Sequence, residues 1–139
     1  MKMIFKSLLL LTFLISYNAD AEWVLVSETE SSKFYVESES IRKAPPFITY
    51  WEKRNSKQPL IYSEKTGKTY RSVVSKVQAD CYNLKAMTLS SSFYTGFNQT
   101  GDHLGTDDLV KLNIAEWVDL IPGSLGESSV KYACSKRQN

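Results

Sequence analysis

Residues 70–81 read Tyr-Arg-Ser-Val-Val-Ser-Lys-Val-Gln-Ala-Asp-Cys, and this stretch decides the fold. From Val73 to Cys81, every second residue is small or apolar, and the residues between them become polar after Val74. A period of two residues is typical of a β-strand with one buried face. The alternation therefore predicts a long strand that brings Cys81 to its end on the buried side.

The amino-terminal 21 residues have the three-part layout of a secretory signal peptide. Two lysines precede an apolar run over residues 8–15, and Ala19 and Ala21 satisfy the small-residue rule for cleavage before Glu22. The apolar run is shorter than the roughly 20 residues that a membrane-spanning helix needs. The sequence has no cysteine at the cleavage site to which a lipid could be attached. We therefore expect an exported protein that is not lipidated and has no transmembrane segment, and that is periplasmic, secreted or associated with the cell surface.

The mature domain over residues 22–139 has two cysteines, Cys81 and Cys134. An even number of cysteines in an exported chain indicates a disulfide, so we predict that these two are joined. Ser124 and Glu127 have the S-x-x-E spacing of a capping box, which predicts a helix from there to about Cys134. The disulfide would then clamp this helix onto the sheet at the end of the 70–81 strand.

The remaining predicted elements follow from aromatic, β-branched or alternating composition, and from proline and glycine as breakers. Strands are predicted over residues 23–26, 33–37, 47–53 and 84–94, with a last extended segment over 115–121. Other segments are predicted to be one helical turn over 38–43, a long polar connection over 55–68 and a mobile loop over 96–108.

The charges are nearly balanced in total, with 17 basic and 15 acidic residues, which argues against a dedicated nucleic-acid binder. They are uneven along the chain. Residues 52–76 contain seven basic and two acidic side chains, whereas residues 98–130 contain one basic and six acidic side chains. The candidate patch for an anionic partner consists of Lys53, Arg54, Lys57, Lys65, Lys68 and Arg71. An ordinary solvated surface, a site for sulfated glycans or acidic proteins, and self-association are the three alternatives.

The sequence contains no recognisable catalytic or metal-binding motif. His103, the single histidine, lies among glycine and aspartate residues, which predicts a solvated side chain. The nearby Asp102, Asp107 and Asp108 lack the spacing of an EF-hand calcium loop. The cysteines are too far apart for the Cys-x-x-Cys arrangement of disulfide exchange. We therefore expect no catalytic residue and no metal.

Aromatic residues could line a concave sheet. Tyr50, Trp51 and Tyr70 are candidates for holding a flat ligand such as haem, although aromatic residues in strands more often pack in the core. With no second histidine and no free cysteine to ligate iron, we expect no cofactor.

Several short motifs follow one another in a recognisable order. They are Glu22-Trp23-Val24-Leu25-Val26, Phe34-Tyr35-Val36, Tyr50-Trp51, Gly67-Lys68-x-Tyr70-Arg71-Ser72, Asp80-Cys81, Trp117-x-x-Leu120-Ile121-Pro122-Gly123-Ser124-x-Gly126-Glu127 and Cys134. Together they resemble the bacterial surface-adhesin protein E family over essentially the whole mature chain. The resemblance implies an α+β fold: an antiparallel sheet of about six strands with a carboxy-terminal helix tethered by the disulfide.

The resemblance also implies a function. Its founder type is a dimeric surface lipoprotein that binds host matrix and serum proteins, and haem. We therefore expect an exported, non-enzymatic protein that binds a host matrix or envelope component, and the open edges of its sheet would allow a homodimer. The alternative is a soluble periplasmic protein of the same fold, with a ligand-binding role, for haem among others, or an accessory role.

The signal peptide can be tested directly. When the full-length gene is expressed in a bacterium, amino-terminal sequencing of the exported protein should begin at Glu22, because cleavage follows Ala21. Replacing Ala21 with arginine should block cleavage by removing the small side chain at that position. A mature protein that still begins at Met1 would contradict the prediction.

Overall fold

The computed structural model describes residues 21–136, so the predicted signal peptide lies outside the described residues except for Ala21. Within this range the chain forms eight strands and one helix. They are β1 (Trp23–Glu28), β2 (Ser32–Glu37), β3 (Arg42–Ala44), β4 (Phe47–Ser63), β5 (Lys68–Asp80), β6 (Lys85–Tyr94), β7 (His103–Asp108), β8 (Val118–Asp119) and α1 (Leu125–Lys136).

The strands form one antiparallel sheet in the order β1-β2-β4-β5-β6-β7. Two short strands are added beside this path: β3 pairs with the start of β4, and β8 pairs with the start of β6. The α+β fold with about six strands and a carboxy-terminal helix is therefore confirmed. No helix in residues 21–136 is both long enough and apolar enough to cross a bilayer.

The predicted alternation of β5 sets the core. Val77 and Ala79 are buried, while Lys76 and Gln78, which alternate with them, are partly exposed. Helix α1 packs on the same face as Val77 and Ala79. The buried core cluster consists of Val36, Ile48, Tyr50, Val77, Ala79, Val130 and Ala133. One face of the sheet is thus covered by the helix, and we call it the helix face; the other is the open face.

Helix α1 begins as the capping box predicts. The Ser124 hydroxyl accepts the Glu127 backbone N–H at 3.2 Å. The Glu127 carboxylate reaches back and accepts the Gly123 N–H at 3.2 Å. The disulfide between Cys81 and Cys134 is formed, with the two Cα atoms 5.8 Å apart. The helix is therefore tethered to the sheet beside the end of β5, as predicted.

The polar residues 55–68 do not form the long connection that we predicted. Instead, β4 continues to Ser63 and β5 begins at Lys68, so only a tight turn over residues 64–67 joins the two strands. The outer half of β4 has polar residues over 55–58 followed by apolar residues over 59–62, so its sequence has no alternation to reveal a strand.

Proline lies where the extended β4 can accommodate it. The pairing of β4 with β5 jumps from Asn55 to Leu60, which leaves a large bulge in β4 that contains Pro59. Proline has no N–H to donate to a ladder and is therefore restricted within sheets to edges and bulges. Pro59 therefore lies in a bulge of β4 and does not end the strand.

Residues 96–108 also differ from the prediction of a mobile loop. Gly96 donates to the Thr100 carbonyl at 2.9 Å and Thr95 donates to the Asp102 carbonyl at 3.0 Å, which closes a tight turn. The chain then returns as edge strand β7, paired with β6. An edge strand with polar residues on both sides has no sequence alternation, and charged edges protect a sheet against unwanted pairing.

Two smaller differences concern the sheet margins. The helical turn predicted over 38–43 is a short 3₁₀ turn, Ser38–Ser40, followed by β3. The extended segment predicted over 115–121 contributes only the two residues of β8.

The disulfide should contribute strongly to stability. Replacing both cysteines with alanine should lower the free energy of unfolding by about 2–4 kcal/mol, because the bond restricts the unfolded chain over a long loop. The two cysteines are 53 positions apart in sequence. Urea denaturation of the variant and of oxidised wild type measures the loss. Chemically reduced wild type is the matched control, and equal midpoints for all three samples would contradict the prediction.

Candidate functional site

Strand β4 presents alternate side chains to the two faces of the sheet. Tyr50 and Glu52 lie on the helix face, where both bond to Ser129 of α1. Trp51 and Lys53 lie on the open face, opposite the helix. Neighbouring residues of one strand therefore belong to different sites, as a two-residue period requires.

The open face carries an aromatic groove. Trp23, Trp51 and Tyr94 line a cavity of about 390 Å³ together with Glu37, Val74 and Ser92. We call this cavity the open-face groove. One end of it reaches Gln99, in the tight turn before β7, which bonds to the sheet through Ser72.

Lys53 is the unusual residue beside this groove. It is only 5% exposed, and its ammonium lies 4.5 Å from the centre of the Trp23 ring and 4.8 Å from that of Tyr35. Burial lowers the pKa of the Lys53 ammonium. Within residues 21–136 it forms no ion pair with a carboxylate. Cation–π contacts therefore take the place of a counter-ion.

The other predicted basic residues do not join Lys53 in one patch. Arg54 points to the helix face and donates to the Tyr70 hydroxyl at 3.2 Å. Lys57 pairs with Glu28 at 3.4 Å.

The last three of the predicted basic residues lie further along the hairpin. Arg71 donates to the Lys57 carbonyl at 3.1 Å and lies over the Phe97 ring at 5.2 Å. Lys65 and Lys68 are exposed at the β4–β5 turn. The structure thus brings Lys57 and Arg71 together and separates the rest.

Part of the predicted acidic region is engaged in local contacts. Asp119 pairs with Lys85 at 3.6 Å, and Glu127 pairs with Lys131 at 3.3 Å. His103 is exposed, and its ring packs beside that of Tyr94 with the centroids 5.1 Å apart. In the part of the chain that the structure describes, no three His, Cys, Asp or Glu side chains are placed to hold a metal ion.

The aromatic set considered for haem does not form one surface. Tyr50 is buried beneath α1, whereas Trp51 lines the open-face groove. Tyr70 packs edge-on against Phe93 at 4.9 Å. Because Tyr50 and Trp51 are sequence neighbours in a strand, their separation follows from the alternation alone.

A polar cluster that the sequence did not reveal lies beneath the helix. The Ser129 hydroxyl donates to the Glu52 carboxylate at 2.8 Å, and it lies 3.2 Å from the Tyr50 hydroxyl. Burial raises the pKa of Glu52, an effect that the nearby Arg54 charge opposes. Burial likewise raises the pKa of Tyr50. Ser129 lies four residues before the core residue Ala133, and this helical spacing, which places both on one face, was the available signal.

The fold can now be compared with known proteins. The family model for surface-adhesin protein E matches residues 23–135. The chain belongs to the surface-adhesin protein E family. This family membership agrees with the resemblance found in the sequence motifs. No curated protein sequence matches the chain.

Solved structures of Haemophilus influenzae protein E share the fold of this adhesin E family member. Crystal form II of that protein is 16% identical, with a TM-score of 0.63, and the match covers 88% of this chain and 94% of that chain. A structure of protein E from non-typeable Haemophilus influenzae is 17% identical, with a TM-score of 0.59, covering 84% and 79% respectively. At this identity the likeness concerns the fold alone.

Replacing Glu52 with glutamine should stabilise the protein at neutral pH. Its pKa is raised above the ordinary 4.5, so the folded state binds this proton more tightly than the unfolded chain. The free energy of unfolding therefore falls as the pH rises from the ordinary pKa of 4.5 through the raised pKa of Glu52 in the folded protein. Glutamine has no charge to desolvate and still accepts the Ser129 hydroxyl.

The measurement is urea denaturation across pH. The midpoints of wild type and Glu52→Gln should coincide in acid, and the variant should be more stable above the raised pKa. Glu39→Gln, at an exposed position, is the control and should follow wild type. Identical pH profiles for Glu52→Gln and wild type would contradict the assignment.

Proposed function

We propose that this protein is an exported, non-enzymatic, adhesin-like protein that binds a macromolecule through its open-face groove. The partner is a component of the host matrix or of the bacterial envelope that presents an anionic group to Lys53. Membership of a family named for surface adhesion supports binding as the role. The signal sequence predicted over residues 1–21 supports export.

The observation that carries this proposal is the environment of Lys53. A charge removed from water is costly unless it is paired. Within the described residues, Lys53 has two aromatic rings but forms no ion pair with a carboxylate. The carboxylate of Glu37, which also lines the groove, already accepts two backbone N–H groups. A carboxylate or sulfate of a partner would supply the missing counter-charge. Tryptophan is enriched among the interface residues that contribute most to binding energy, and both Trp23 and Trp51 line the groove.

The assembly and location belong to the same proposal. Strands β1 and β7 are the edges of the main sheet path, and their unpaired sides would allow pairing with a second copy. Release into the periplasm or medium, or association with the cell surface, would follow removal of the signal peptide. The second candidate, a soluble periplasmic ligand-binding protein, is favoured by a cleft on the helix face.

The test is binding of the mature, oxidised protein to purified host matrix proteins and to envelope extract. Against any partner found, Lys53→Gln should weaken binding at least about tenfold, equal to about 1.4 kcal/mol. Trp51→Ala should weaken it as well, since Trp51 is a partly exposed wall of the groove. Urea denaturation of each variant checks that it is folded.

The matched control is the double variant Lys65→Gln/Lys68→Gln, which removes two exposed charges at the β4–β5 turn. It should bind like wild type. If instead this control loses binding while Lys53→Gln retains it, the partner contacts the turn by general charge attraction, and the open-face proposal is wrong.

A further inference from the structure

The helix face contains a cleft that the proposed binding of a macromolecule does not use. It lies between α1, the segment over residues 109–120 and the sheet, and its volume is about 400 Å³. Small-molecule sites typically have about 300–1,000 Å³ with mainly apolar walls and a few polar groups. The apolar walls of this cleft are formed by Val77, Ala86, Leu109, Ile114, Val118 and Leu120.

Glu52 gives the cleft its charge. One of its carboxylate oxygens accepts the Ser129 hydroxyl at 2.8 Å. For the other oxygen there is no hydrogen-bond donor among residues 21–136, and Glu52 forms no ion pair there. Ser129 of α1, whose hydroxyl also contacts the Tyr50 hydroxyl of β4, holds the Glu52 side chain in place. A fixed carboxylate with one free oxygen therefore faces an apolar chamber.

We propose that this cleft binds a small organic cation, an ammonium group on a short apolar body, with Glu52 as the counter-ion. A second carboxylate, Glu116, also lines the cleft, so an anionic ligand would be repelled. The cation supplies the ion pair that Glu52 lacks, because Arg54 lies near enough to influence Glu52 but forms no ion pair with it. The hydrocarbon body of the cation matches the apolar walls. This inference does not rest on the proposed function, because the open-face groove lies on the opposite side of the sheet.

The rim of the cleft supports an apolar body for the ligand. Ile114 and Val118 line the cleft, yet they are 60% and 56% exposed. The segment that carries Ile114 is held in position, since both Ile114 and Ala115 donate to the Leu109 carbonyl at 3.0 and 3.1 Å. A hydrocarbon chain lying against this rim would remove apolar area from water, at about 25 cal/mol per Å².

A purely structural role for Glu52 makes a different prediction. If the carboxylate only anchored α1, its removal would change the stability of the protein and leave its affinity for the ligand unchanged. Glutamine at this position retains an acceptor for Ser129 and removes only the charge. Glu52→Gln should therefore fold, and loss of binding by this variant would report on charge recognition.

The experiment titrates hexylammonium into the mature, oxidised, ¹⁵N-labelled protein, with 1-hexanol and hexanoate as probes of equal chain length. Hexylammonium should cause saturable amide shifts in α1 and in residues 109–120. Hexanol should bind at least tenfold more weakly, and hexanoate should cause no saturable shift. Glu52→Gln should weaken hexylammonium binding at least tenfold, to the level of hexanol.

The control variants are Glu39→Gln, an exposed carboxylate outside the cleft, and Lys68→Gln, an exposed residue at the β4–β5 turn. Both should bind hexylammonium like wild type. Absence of saturable shifts, equal binding of hexanol and hexylammonium, or unchanged binding by Glu52→Gln would each overturn the inference. None of these outcomes bears on macromolecular binding, which is measured separately through Lys53.

Discussion

The attachment of α1 to one face of the sheet is the constraint on which the rest of the structure depends. A single sheet has two faces, and a domain of this size must bury at least one of them to form a core. The Cys81–Cys134 bond and the buried residues Val130 and Ala133 fix the helix there. Because one 12-residue helix cannot cover the whole face, the segment over 109–120 lies beside it, and the cleft remains between the two.

The second constraint is the two-residue period of β4, which separates two neighbouring charges. Glu52 is directed beneath the helix and Lys53 towards the aromatic rings of the open face. Neither forms an ion pair within the described part of the chain. Unpaired charges out of water reduce stability, so a fold is expected to retain them mainly where they serve a function. The two binding proposals are based on these two charges, Lys53 on the open face and Glu52 on the helix face.

The sequence was informative wherever the physics is local. The alternation up to Cys81 predicted β5 and its buried face, and the Ser124 capping box predicted α1. The outer half of β4 and strand β7 were missed because their stability comes from pairing with neighbouring strands, while their own sequences do not alternate between polar and apolar residues. Such strands carry no periodic signal of their own.

The candidate site was predictable only in part, for a related reason. Lys53 was named as a basic residue, but its burial depends on Trp23 and Tyr35, which reach it from two other strands. The role of Ser129 depends on how α1 is set on the sheet. Cross-strand and helix–sheet contacts of this kind are not encoded in spacing along the chain.

The two faces differ in how freely their residues can change. On the helix face the core, the disulfide and the polar cluster share one environment, so substitutions there alter stability together with any ligand site. The fold shared with Haemophilus influenzae protein E at 16% identity shows that most side chains can be replaced while the architecture remains. On the proposal that binding occurs through the open-face groove, partner choice should follow the side chains of that face rather than the fold. A relative with a neutral residue at the position of Lys53 would keep the same sheet and helix, but it would select a partner without the anionic group.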